Sequence, residues 1–161
     1  MSAEECDTLC AMSFRAIITA FAAFLPLAAL ALSPSPLTVT QPWARATAPG
    51  ATVGVVYFEI VNAGPADTLL SVETPVAERA EMHNSSVKDG VSRMRPVESV
   101  RVPQNGRVRF ASGGLHVMLV GLKEPLTEGR RFPLKFEFRK AGTINQEVVV
   151  KGIGATDTPA Q

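Results

Sequence analysis

Gly113-Gly114-Leu115-His116-Val117-Met118-Leu119-Val120-Gly121 alternates without a break. In an extended chain Leu115, Val117 and Leu119 share one face, and His116, Met118 and Val120 share the other. A period of two predicts a strand from Leu115 to Gly121, opened by a turn at Ser112-Gly113-Gly114. It also sets an imidazole and a thioether side by side on one face, ~6.6 Å apart along the strand.

The same period continues outward in both directions. Leu37 to Trp43 is a first strand. Arg45 to Gly50 forms a loop ending in Pro49-Gly50. Val53 to Asn62 is apolar on both faces, with Val56, Phe58 and Ile60 on one and Val55, Tyr57 and Val61 on the other. Such a strand belongs in the middle of a sheet. Leu69 to Glu73 is a short strand closed by Pro75. Phe132 to Phe138 and Glu147 to Lys151 end the series, and residues 152–161 are a small, polar tail. No segment carries a convincing helical period, although Pro75 to Glu81 has room for a single turn. Short strands between turn residues predict an all-β sandwich in a single domain.

Two hairpins are expected. Asp89-Gly90 between Ala77 to Val87 and Val91 to Val97 has the composition of a type I′ turn. That turn pairs Lys88 with Val91 and Ser85 with Met94, so His83 and Met94 share a face one diagonal step apart. A slip of one residue would separate them. Asn105-Gly106 predicts the second hairpin, between Ser99 to Val102 and Arg107 to Phe110.

The N-terminus has the pattern of an export signal. Arg15 precedes an apolar run from Ala16 to Leu32, and Ala29-Leu30-Ala31 offers a small-x-small cleavage site. We expect residues 1–31 to be removed, residues 32–151 to form the folded domain and the product to be periplasmic. The acids Glu4, Glu5 and Asp7 are unusual in such a leader, and a start at Met12 would remove them. Cys6 and Cys10 fall inside it, so the mature chain would contain no cysteine. It would carry 15 basic against 12 acidic residues. Arg93, Arg95, Arg101, Arg107 and Arg109 sit at strand spacing with few aromatics among them. A solvated sheet face accounts for them better than nucleic-acid binding, and a basic face could steer an acidic protein partner.

Both histidines and every methionine beyond the leader lie between Met82 and Met118. One His or Met on a strand is ordinarily a packed residue; the shared faces raise the joint case. Zinc catalysis wants three His or carboxylate ligands, blue copper wants a thiolate, and calcium wants an oxygen-rich loop. Imidazole with thioether and no thiolate suits copper(I). Thioethers are neutral and exchange readily, which suits a carrier. No nucleophile elbow, acid–base relay or phosphate loop is present, so no enzyme is expected.

The spacing His83, ten residues, Met94, twenty-one residues, His116-x-Met118 resembles the signature of the periplasmic copper(I) chaperones called the PCuAC family. Met82 occupies the optional Met just before the first His. Gln41-Pro42-Trp43-Ala44-Arg45-Ala46-Thr47, Gly113 to Leu119, and Gly121-Leu122-Lys123-Glu124-Pro125-Leu126 resemble the same family. The resemblance covers about residues 37–151. It implies a cupredoxin-like Greek-key sandwich and one Cu(I) per chain, held by His83, Met94, His116 and Met118. It also implies delivery to the CuA centre of cytochrome c oxidase, alongside a thiol chaperone of the Sco family. Some members add a Met/His-rich extension for Cu(II); the tail ending Thr158-Pro159-Ala160-Gln161 has neither residue. We expect a monomer without nucleic-acid partners or stable membrane insertion after cleavage. The alternatives are a metal-free β-sandwich module, a copper storage or detoxification protein, and a copper redox enzyme.

Overall fold

Ten strands, and no helix, make up residues 36–156, the part of the chain that the computed structural model describes. The expected leader, with Cys6, Cys10 and Met12, lies outside the described residues, as do the last five of the tail. The strands are β1 (Leu37–Arg45), β2 (Val53–Asn62), β3 (Asp67–Glu73), β4 (Ala77–Lys88), β5 (Val91–Pro96), β6 (Val100–Val102), β7 (Gly106–Phe110), β8 (Leu115–Leu122), β9 (Arg131–Phe138) and β10 (Gly142–Lys151). Strand, not a helical turn, occupies Ala77 to Glu81.

Hydrogen bonding runs in the order β5-β4-β8-β7-β2-β1-β10-β9-β3-β6, and β8 also pairs with β2. The doubly apolar β2 is central, between β1 on one side and β7 and β8 on the other. The sheet folds over on itself. Phe58 of β2 stacks on Phe110 of β7 at 4.2 Å and meets Phe136 of β9 edge-on at 4.9 Å. In a flat sheet β2 and β9 would stand three spacings apart, ~14 Å. Two facing layers with these rings between them satisfy the contact, and Val56, Ile60, Val117, Leu119, Leu134 and Val148 fill the same interior without exposure. The bend falls in β1. Its register to β2 shifts between Thr40 and Trp43, where Gln41 takes φ 50°, and only beyond the shift does it pair with β10, in parallel.

The two expected hairpins fare differently. Asp89 and Gly90 both have positive φ, 54° and 74°, as a type I′ turn demands. Lys88 pairs with Val91 and Ser85 with Met94, as the two-residue turn predicts. At Asn105-Gly106 only Asn105 has positive φ, and no hairpin forms. β6 pairs with β3, and β7 pairs with β2. Pro103 packs against Gly106 and the Asn105 N–H donates to Gly64 O, so the segment turns a corner from one layer to the other. The five arginines are exposed, but they are spread over β5, β6 and β7 and form no single face.

Asp67 ties β3 to the β9–β10 turn. Its Oδ1 accepts from the Thr68 and Lys140 N–H groups at 2.7 and 3.0 Å, and its Oδ2 from Ala141 at 2.9 Å. Burial opposes its charge, but these three donors outweigh burial and hold its pKa below the ordinary 3.8. The carboxylate therefore stabilises the fold fully at neutral pH and loses that contribution as pH falls below the ordinary value. Asp67→Asn should cost ~2 kcal/mol at pH 7 in urea unfolding, and stability should fall less steeply than in wild type between pH 5 and 3.

Candidate metal centre

β8 brings the two histidines together. It pairs antiparallel with β4 so that His83 stands directly opposite His116, Glu81 opposite Met118 and Met82 opposite Val117. Directly opposed residues share a face, so His83, His116, Met118 and Glu81 all point one way. β5 adds Met94 to that face, diagonal to His83 across the hairpin. The four sequence-predicted donors therefore project from one face of three adjacent strands. Met82 does not join them. It is buried on the core face.

The environment of the donors is graded. His116 is 5% exposed, His83 is largely covered, Met118 is half-buried and Met94 is 51% exposed. On the other side of β8, Val55 of β2 pairs with Met118, and carrying that register on sets the buried Tyr57 level with His116. Tyr57 packs against Trp43 at 4.8 Å, and Lys151 Nζ lies 4.9 Å from the Trp43 ring. The matching of Trp43 to the family pattern thus has a packing explanation. It walls the β1–β2 side of this face.

Each histidine has one ring nitrogen committed and one left over. His116 Nδ1 lies 3.0 Å from Gly114 O. A carbonyl only accepts, so Nδ1 carries the proton and Nε2 keeps its lone pair. His83 Nε2 lies 3.1 Å from Glu81 Oε2. A carboxylate ion likewise only accepts, so Nε2 carries the proton. The lone pair of His83 is then on Nδ1, which is buried and has no hydrogen-bond partner. A buried acceptor left empty is costly unless something fills it.

The two ring centroids are 6.0 Å apart. A ring nitrogen lies ~1.1 Å from its centroid and binds a first-row metal at ~2.0 Å, so two rings on one ion reach at most ~6.2 Å. The observed separation is inside that limit. Glu81 is a partner of His83 that the sequence reading missed. Its two oxygens receive His83 Nε2 and Arg79 Nε, each at 3.1 Å, and those two hydrogen bonds, His83 first, hold its pKa below the usual value. A carboxylate behind a metal-binding imidazole fixes its tautomer and raises its basicity. The i, i+2 spacing from His83 was the available clue.

The sequence pattern of the LpqE-like family ("Putative lipoprotein LpqE-like") matches residues 37–150. The chain belongs to this family. A relative in Leifsonia xyli subsp. xyli, "Putative lipoprotein Lxx21020", is 28% identical over 115 residues, 70% of this chain and 68% of that protein. Among solved structures, the apo PCuAC domain of PmoF2 superposes with a TM-score of 0.64 at 25% identity, covering 77% of this chain and 96% of the domain. Its copper-bound form gives 0.63 at 24% identity over 73% and 94%. CuI-DR1885 from Deinococcus radiodurans gives 0.55 at 24% identity over 73% and 77%. This LpqE-like chain therefore has the cupredoxin-like β fold of PCuAC domains, as the resemblance to that family implied.

The two imidazoles should hold opposite tautomers in the metal-free protein. At pH 8, long-range proton–nitrogen correlation should find His116 protonated at Nδ1 and His83 at Nε2. In Glu81→Ala the His83 preference should weaken while that of His116 stays. An unchanged His83 tautomer would remove Glu81 from this role.

Proposed function

We propose that this LpqE-like protein is a periplasmic copper(I) carrier. One ion is bound by His83 Nδ1, His116 Nε2 and the thioethers of Met94 and Met118, and is passed to an apo acceptor. The observation that carries the proposal is the buried, unpartnered His83 Nδ1, on a ring 6.0 Å from that of His116 and on the face that carries Met94 and Met118. Copper in the related PmoF2 domain and Cu(I) in DR1885 support the choice of metal. Two neutral imidazoles and two thioethers leave the bound ion with its single charge and favour the soft monovalent state.

The gradient of exposure fits a carrier. Met94 is the outermost donor and sits on a hairpin at the edge of the strand order. An incoming donor from the acceptor displaces Met94 first. The inner histidines, fixed by Glu81 and Gly114, release last. No electron moves, and each step exchanges one copper–ligand bond for another. The acceptor we propose is the CuA-bearing subunit of cytochrome c oxidase, served together with a Sco-type thiol chaperone. Met/His donors hold Cu(I) loosely enough to yield it to the thiolates of such a centre.

Anaerobic titration against a chromophoric Cu(I) chelator tests the site. Wild type should take one tight equivalent, and the His116→Ala/Met118→Ala variant should lose it. Met94→Ala should keep the equivalent but weaken it at least tenfold, or ~1.4 kcal/mol, and speed transfer to an apo CuA domain. A wild type without a tight equivalent would contradict the proposal. A tight site with no transfer would leave a copper store in place of a chaperone.

A further inference from the structure

The opposite edge of the strand order carries a second polar cluster that copper binding does not use. Thr68 on β3 pairs with Arg101 on β6, and the Arg139 N–H at the end of β9 donates to Thr68 O at 3.0 Å. Arg101 and Arg139 thus flank Thr68, each one strand spacing away, ~4.8 Å. With Ser99, Lys140 and the β2–β3 loop they line an open cleft of about 480 Å³. Three cations face one carboxylate there, and that carboxylate, Asp67, already accepts three backbone N–H groups.

The fold gives these cations little relief. Arg79, Arg107, Arg130 and Arg131 each lie within 4 Å of a glutamate. Among the described residues Arg101 and Arg139 have no such partner, a property they share with Arg45, Arg93, Arg95 and Arg109, and Lys140 Nζ reaches the Ala66 carbonyl at 2.7 Å. Arg101 and Arg139 stand two strand spacings apart, ~9.6 Å, with Thr68 between them, so an anion seated over Thr68 is within reach of both side chains. The donors suit a phosphate: two guanidinium forks, an ammonium and the hydroxyls of Thr68 and Ser99. The cleft is larger than a bare phosphate requires and falls in the range of small-molecule sites.

We infer that the cleft formed by Arg101, Arg139, Lys140 and Thr68 binds a phosphate group, supplied either by the phosphodiester of an anionic phospholipid or by free phosphate. The inference stands on residues of β3, β6 and β9 and does not depend on the copper reading.

The test titrates the full chain with dihexanoyl phosphatidylglycerol below its micelle concentration, with the phosphatidylcholine analogue and with inorganic phosphate. The amide resonances of Thr68, Lys140 and Ala141 are followed by NMR. Saturable shifts with phosphatidylglycerol, at least fivefold tighter than with the other two, support the lipid source. Equal affinity for inorganic phosphate keeps the phosphate site but overturns the lipid source. Arg101→Gln/Arg139→Gln should weaken binding at least tenfold while Cu(I) affinity and thermal midpoint stay unchanged. Should that variant fail to fold, Lys140→Gln should weaken binding at least threefold. No saturable shift with any probe, or variants that bind like wild type, would overturn the site.

Discussion

The register between β4 and β8 is the constraint on which the site depends. It sets His83 opposite His116 and Glu81 opposite Met118. Side chains alternate along a strand, so a slip of one residue would turn one histidine into the core and bring Met82 or Val117 outward. The register is enforced from the core side. Met82, Val117 and Leu119 are buried there, and exposing them would sacrifice ~2 kcal/mol apiece. The proposed copper donors on the outer face are held in place by hydrophobic residues on the inner one.

Much of this was legible before the structure. The β4–β5 hairpin could be read because Asp89-Gly90 is a local, two-residue determinant of both turn type and register. The pairing of His116 with Met118 on one face follows from pleat geometry alone. The centrality of β2 follows from its two apolar faces. The pairing of β4 with β8 was not legible, since three strands intervene and no turn residue encodes it. The Asn105-Gly106 error has the opposite origin. A local turn signature was overridden by tertiary pairing, because the buried Val100 and Val102 are satisfied by β3 in the other layer. The polar half of β10, Gly142 to Gln146, was missed because edge-facing polar strands lack the apolar alternation that marks a strand.

The site also shows a division of labour that the donor list does not convey. His116 is buried, His83 is largely covered, and both are oriented by fixed acceptors, Gly114 O and the Glu81 carboxylate. The thioethers have no such anchors, and Met94 is open to solvent. On the proposed reading, the preorganised nitrogen pair supplies affinity and the exposed thioether supplies access, so holding an ion is separated from releasing it within one face of a sheet.

The most direct test of this account is X-ray absorption at the copper edge of the Cu(I)-loaded protein, wild type beside Met94→Ala. Convergence of β5, β4 and β8 on one ion predicts two sulfur and two nitrogen scatterers in wild type and the loss of one sulfur in the variant. A copper environment without sulfur, or one unaltered by the substitution, would contradict it.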